Sequence, residues 1–137
     1  MNELVLIDTS AWISFFRKKN GGSGTADEVT RLLSGGAVCT SQPVFMELVA
    51  CARSTAGLKV LTRNFAGLPM LSIGEREWDR VRDIAIALRM KDNRVGVIDM
   101  LLAATAINND IRLLHHDKHF CSISSVAPLR EYGMSAD

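Results

Sequence analysis

Four acids border or interrupt the most apolar stretches of this chain: Asp8, Glu47, Asp99 and Asp117. Asp8 ends the run Leu4-Val5-Leu6-Ile7, and Asp117 lies just past Ile111 to His115. Asp99 stands before Met100 to Ile107, and Glu47 sits among Phe45, Leu48 and Val49. A carboxylate taken out of water alone is costly, so acids in such settings want a donor or a cation. Lys118 is the one lysine or arginine directly beside any of these acids in the sequence. A divalent ion would serve, because hard cations take oxygen ligands and Mg²⁺ is held by a few carboxylates and waters. Metal-activated water held in that way suits phosphodiester hydrolysis. Each acid also has a plainer reading as a cap or turn residue.

The elements that would have to bring these acids together alternate. Leu4–Ile7 reads as a buried parallel strand, and ligands of open α/β sheets bind beyond strand carboxyl ends. Thr9 is expected to cap the helix starting near Ser10, whose stripe of Trp12, Phe15 and Phe16 has core spacing. Thr25 and Glu28 have the spacing of a capping box, and Gly35-Gly36 ends that helix. Ala37–Thr40 reads as a strand. Pro43 opens the next helix, which carries Glu47 in its second turn. Leu58–Phe65 is a short helix, and Leu68–Ile73 is a strand kept at an edge by Pro69. From Glu75 to Met90 a helix is expected, with Trp78, Val81, Ala85 and Leu88 inward. The segment 97–107 is apolar nearly all round and so predicts a buried helix with Asp99 at its positive end. Ile111–His115 is a further strand, and a last one is expected around Val126–Leu129. This alternation implies one α/β domain over residues 1–137, with a central parallel sheet of four or five strands and flanking helices.

With 137 residues and a net charge of +1, the chain has no bulk basic tail, so contact with a polyanion must be local. Arg17, Lys18, Lys19 and Lys118 are candidates for phosphate contacts. The three cysteines, Cys39, Cys51 and Cys121, have no paired spacing, which predicts a reduced, cytoplasmic protein. No signal peptide or membrane span is read.

The segments Leu6-Ile7-Asp8-Thr9-Ser10-Ala11-Trp12-Ile13 and Pro43-Val44-Phe45-Met46-Glu47-Leu48 resemble two motifs of the PIN-domain nucleases. Ile98 to Ala106 and Leu113 to Phe120 resemble the remaining two, in the same order and across essentially the whole chain. The size is similar to VapC-like toxins of bacterial toxin–antitoxin pairs. The resemblance implies a metal-dependent endoribonuclease using Mg²⁺ or Mn²⁺, with Asp8 and Asp99 as principal metal ligands. Glu47 and Asp117 would complete the pocket, and Ser10 would touch a ligand from behind. It further implies an RNA substrate, a homodimer and a cognate antitoxin. Trp12, Phe15, Phe16, Phe45 and Leu48 would then offer part of a groove for an antitoxin helix.

Where many relatives carry a further acid, this chain has His119. It reads as a solvated or phosphate-contacting residue, and the lost carboxylate would move metal preference toward Mn²⁺. His115, His116, Asp117, His119 and Cys121 also raise the alternative of a zinc site, though no second half of such a site is present. Two other classes remain: a PIN-like scaffold without catalysis, and an Asp-based phosphotransfer domain. Ser10 stands where dehalogenase-like phosphotransferases need a second Asp.

Overall fold

The computed structural model describes residues 3–17 and 24–132. Lys18 and Lys19 lie outside the described residues. Four short strands, β1 (Val5–Ile7), β2 (Val38–Ser41), β3 (Met70–Leu71) and β4 (Arg112–Leu114), form one sheet in the order β3-β2-β1-β4. All pairs are parallel, with Leu6 beside Cys39 on one side and Leu113 on the other. β1 and β2 are buried throughout, as their uninterrupted apolar sequence requires of a sheet covered on both faces.

The strand order places the site. From β1 the chain steps outward to β2 and β3, then crosses back to add β4 on the other side of β1. The direction of winding therefore reverses between β1 and β4. In parallel sheets the crevice opens at such a point, beyond the strand carboxyl ends. Asp8 follows β1 and Asp117 follows β4, so two of the acids flank it.

Seven helices surround the sheet among the described residues: α1 (Thr9–Phe16), α2 (Gly24–Ser34), α3 (Gln42–Cys51), α4 (Thr55–Phe65), α5 (Glu75–Met90), α6 (Val97–Asn108) and α7 (His119–Ser124). In α6 every residue from Met100 to Ala106 is buried, which fits its apolar circumference. Its one buried hydroxyl, Thr105 Oγ1, donates to the Leu101 carbonyl at 2.7 Å. α5 is pinned to α6 through a carboxylate. Glu77 accepts from the Gly74 N–H at the start of α5 and from Asn108 Nδ2 at the end of α6, both at 2.8 Å. That clamp holds α6 and hence Asp99 in its first turn.

Several expectations change. Asp8, not Thr9, caps α1: its carboxylate accepts from the Ala11 N–H. Thr9 is already the first helical residue, whereas Asp8 has the extended backbone of a cap, and its carboxylate places a negative charge at the positive helix end. α2 already opens at Gly24, and Glu28 is held by Arg31 and the Tyr132 hydroxyl. Gly36, at φ +67°, ends it as expected. α4 starts earlier, at Thr55, because Ser54 caps it by accepting from the Gly57 N–H. β3 keeps only two residues. On α5 the inward stripe is Glu77, Val81, Ile84 and Leu88, and Trp78 is 49% exposed. Glu77 takes the inward place there because Gly74 and Asn108 satisfy its oxygens. The strand expected at Val126–Leu129 does not form. Pro128 has no N–H to give a ladder. The contact moves on by a few residues, to a single bridge between Leu113 and Glu131, and α7 stands before it.

Candidate metal centre

Asp8 is fixed by the ends of two strands. Its backbone N–H donates to the Leu114 carbonyl at 3.0 Å, continuing the ladder between β1 and β4. The Ser10 hydroxyl donates to the Asp8 carboxylate, 2.9 Å from each oxygen, and itself accepts from the His116 N–H at 3.0 Å. Asp8 is only 4% exposed. Burial pushes its carboxyl up to about 6, against the pull of the Ala11 N–H, the Ser10 hydroxyl and the neighbouring His115 ring. The acid therefore sits where ionisation is costly in the absence of a cation.

The other acids arrive from helix ends and loops. Asp99 Oδ2 lies 3.3 Å from His119 Nδ1, and Asp117 Oδ1 lies 3.4 Å from the same nitrogen. One donor atom from each of Asp99, Asp117 and His119 falls within 4.8 Å of the others, in the mixed cluster that the described residues form. Asp99 is held above its ordinary value by burial. The His119 hydrogen bond opposes that rise, and the charges of Asp117 and Glu47 add to it. Glu47 thus faces the cluster from α3, but it is exposed, contrary to the expectation of a carboxylate buried by its apolar neighbours. Its Oε1 accepts from the Thr9 hydroxyl at 2.7 Å.

These donors suit a divalent cation. Ligand atoms about 2.1 Å from one octahedral ion lie roughly 3 to 4.2 Å apart. The two contacts of His119 Nδ1 fall within that span, and the two carboxylates supply the charge that an ion neutralises. Asp8 is joined to the cluster through Ser10 and the His116 backbone, one residue before Asp117.

Of the zinc window, only Asp117 and His119 enter the cluster. His115 Nε2 instead meets Glu131 Oε1 at 2.7 Å, and Cys121 Sγ lies 3.8 Å from the same oxygen. His119 is not merely a solvated residue: it bridges two acids. Sequence reading gave Thr9 and His115 other roles, a helix cap and a zinc window, and missed Glu131. His115 Nδ1 accepts from the Asp117 N–H at 3.3 Å while Nε2 engages Glu131, so the ring links the last described segment to the loop that carries Asp117. No spacing rule marks such a relay, since Glu131 reaches His115 only through the bridge beside β4. Trp12 is fully buried against Phe15, Phe16 and Phe65, which removes it from any groove. Phe16 and Leu48 do line one, together with Ile13, Arg17, Arg53 and Val60.

A family model described as the PIN domain matches residues 5–126. Ribonuclease VapC11 of Mycobacterium tuberculosis is 35% identical over 131 residues, covering 93% of this chain and 96% of that protein. Among solved structures, VapBC2 from Rickettsia felis, bound to a DNA fragment from its promoter, superposes with a TM-score of 0.76 at 14% identity. That alignment covers 96% of this chain and 99% of the other. VapBC-1 from nontypeable Haemophilus influenzae gives 0.74 at 20% identity, over 94% of this chain and 96% of its own. The structural likenesses speak for the fold, and the sequence match over nearly the full length narrows it. With its acids at the switch point of a parallel sheet and this match from end to end, the chain belongs to the PIN-domain family and, within it, to the VapC group.

Proposed function

We propose that the protein is a metal-dependent endoribonuclease, the toxin of a toxin–antitoxin pair. The observation that carries this reading is the convergence of Asp99, Asp117 and His119 beside the buried Asp8 in a chain 35% identical to a VapC ribonuclease. Asp8, Asp99 and Asp117 would hold Mg²⁺ or Mn²⁺, with Glu47 at the rim. A divalent ion bound there supplies Lewis acidity, lowering the pKa of water and offsetting charge on the leaving oxygen.

The chain's own groups do the rest. Ser10 holds both Asp8 oxygens and keeps that carboxylate oriented. Thr9 ties Glu47 toward the cluster, where its carboxylate can accept a hydrogen bond from the attacking water. Lys118, exposed and next to Asp117, would meet a substrate phosphate.

VapBC complexes are toxin–antitoxin assemblies, and the groove between α1, α3 and α4 offers this chain a corresponding seat. It measures about 820 Å³ and is lined by Ile13, Phe16, Leu48 and Val60 with Arg17 and Arg53 among them. An amphipathic antitoxin helix fits such a surface. A homodimer would use a different face: Trp78, Ile86 and Met90 of α5 are exposed, at 49%, 53% and 84%.

The test is RNA cleavage by the purified protein with Mn²⁺ or Mg²⁺. Asp99→Asn should lower the rate at least about 100-fold while leaving the circular dichroism spectrum unchanged. Chelation with EDTA should abolish cleavage; cleavage that continues in EDTA overturns the proposal.

A further inference from the structure

We infer that His119 is a direct nitrogen ligand of the bound ion, making this a mixed carboxylate–imidazole centre that prefers Mn²⁺ and kindred transition ions to Mg²⁺. The inference rests on the metal-dependent reading above and goes on to name the ion's chemistry.

Distance is the first argument. A charge-assisted hydrogen bond between an imidazolium and a carboxylate closes to about 2.7–2.9 Å. His119 Nδ1 stands 3.3 Å from Asp99 Oδ2 and 3.4 Å from Asp117 Oδ1. Both contacts are longer than a tight ion pair and nearly equal. They match the edge between neighbouring ligands of one ion, roughly 3 Å when each bond is about 2.1 Å. One nitrogen and two oxygens from three residues thus gather within 4.8 Å of one another, with the nitrogen at ligand-edge distance from both oxygens.

Position on the backbone is the second. The His119 N–H donates to Asp117 Oδ1 at 3.0 Å, so a single tight turn sets both ligands. The ring does not need to swing in from solvent, although the side chain is 57% exposed. The other rings of this segment do not compete. His115 is committed to Glu131 and to the Asp117 N–H, and it is absent from the cluster of donors.

Chemistry is the third. Mg²⁺ takes oxygen and gives up its waters reluctantly, so an imidazole adds little for it. Affinity for a nitrogen-containing site rises along the first transition row, and ligand type is what separates such ions from Mg²⁺. Replacing one carboxylate by imidazole weakens the purely electrostatic part of binding, on which Mg²⁺ depends most.

Calorimetry and pulsed electron paramagnetic resonance of bound Mn²⁺ test this without any turnover. The samples are the wild-type protein, His119→Asp, His119→Ala and Asp99→Asn, each with its melting temperature as a check on folding. Wild type should bind Mn²⁺ more tightly than Mg²⁺, and His119→Asp should narrow that ratio roughly tenfold. Modulation from a directly bonded ¹⁴N should appear in wild type and vanish in both His119 variants. Asp99→Asn should lose most Mn²⁺ binding, placing the ion at this cluster. Mn²⁺ bound without ¹⁴N coupling, coupling that persists in His119→Asp, or an unchanged metal ratio each overturns the inference and leaves the nuclease reading standing. Failure of wild type to bind either ion overturns both.

Discussion

The two parts of the proposed metal site, a floor formed by Asp8 and a rim formed by Asp99, Asp117 and His119, are built differently. On the floor, Asp8 is 4% exposed, and its carboxylate accepts from the Ser10 hydroxyl and the Ala11 N–H at 2.9–3.0 Å. Its backbone is part of the ladder between β1 and β4. On the rim, the Asp99, Asp117 and His119 side chains are 27%, 36% and 57% exposed and meet at 3.3–3.4 Å. The floor holds one charge in a fixed place and bears the desolvation that this entails. The rim keeps its charges in contact with water and can adjust by tenths of an ångström to an ion or a phosphate. In such a site the sheet supplies position, and the helix ends supply adaptability.

Asp8→Asn tests that division with the largest expected effect. RNA cleavage should fall at least about 100-fold, since the amide keeps the shape and loses the charge. Stability should move the other way. The Asp8 carboxyl is raised from 3.8 to about 6, so the fold favours its protonated form. That contribution is fully present below about pH 4 and is lost as pH rises through 6. At roughly 1.4 kcal/mol per unit, the wild type should give up as much as about 3 kcal/mol relative to Asp8→Asn between pH 4 and 8 without metal. Urea unfolding in EDTA at several pH values measures the difference. Adding Mn²⁺ at pH 8 should restore the wild type more than the variant. If the two proteins track each other at every pH, Asp8 bears no burial penalty and the floor is no different from the rim.

Ser10→Ala should act on the same floor at smaller scale. It removes the hydroxyl that faces both Asp8 oxygens and leaves the His116 N–H to water. The loss of a hydrogen bond to a buried charged group costs about 1–3 kcal/mol. Because the Ser10 hydroxyl lowers the Asp8 pKa, the variant's Asp8 should titrate above 6. The destabilisation should therefore be greater at pH 8, where the wild-type carboxylate is ionised, than at pH 5. An equal loss at both values would mean that Ser10 matters for packing alone.

The floor was the more legible of the two regions. Leu4-Val5-Leu6-Ile7 is a run that only a doubly covered strand buries, and an acid directly after it has one place to go. α5 was legible to the residue, because sixteen positions of helical periodicity outweigh any single side chain. Its inward face was less so: Glu77 competes successfully with Trp78 because of partners 3 and 31 residues away, which local pattern does not record. The rim suffers from the same blindness. Apolar neighbours suggested a buried Glu47, yet it is exposed, held by Thr9 on the side of α3 that faces the cluster. His119 showed only as a departure from the family pattern, and its bond to Asp99 spans 20 residues. After β4 the reading expected a strand at Val126–Leu129 and missed α7, since a six-residue helix and a one-residue bridge leave almost no periodic trace.

Thr9→Val gives the smallest and sharpest test of the rim. Valine keeps the shape of threonine and removes the donor that meets Glu47 Oε1 at 2.7 Å. Glu47 is exposed, so water replaces the lost bond, and stability should change by less than about 0.5 kcal/mol. Orientation is what the bond supplies, because it ties α1 to α3 across the open side of the pocket. Cleavage should fall only about two- to fivefold, as an untied carboxylate samples other rotamers but remains able to reach the cluster. Steady-state rates at saturating Mn²⁺ measure this, with Glu47→Gln beside it to separate loss of orientation from loss of charge. A drop in Thr9→Val comparable with that in Asp8→Asn would mean that the rim must be held as rigidly as the floor. The adaptability assigned to the exposed side chains would then be wrong, and their exposure would reflect only the open mouth that a long RNA needs.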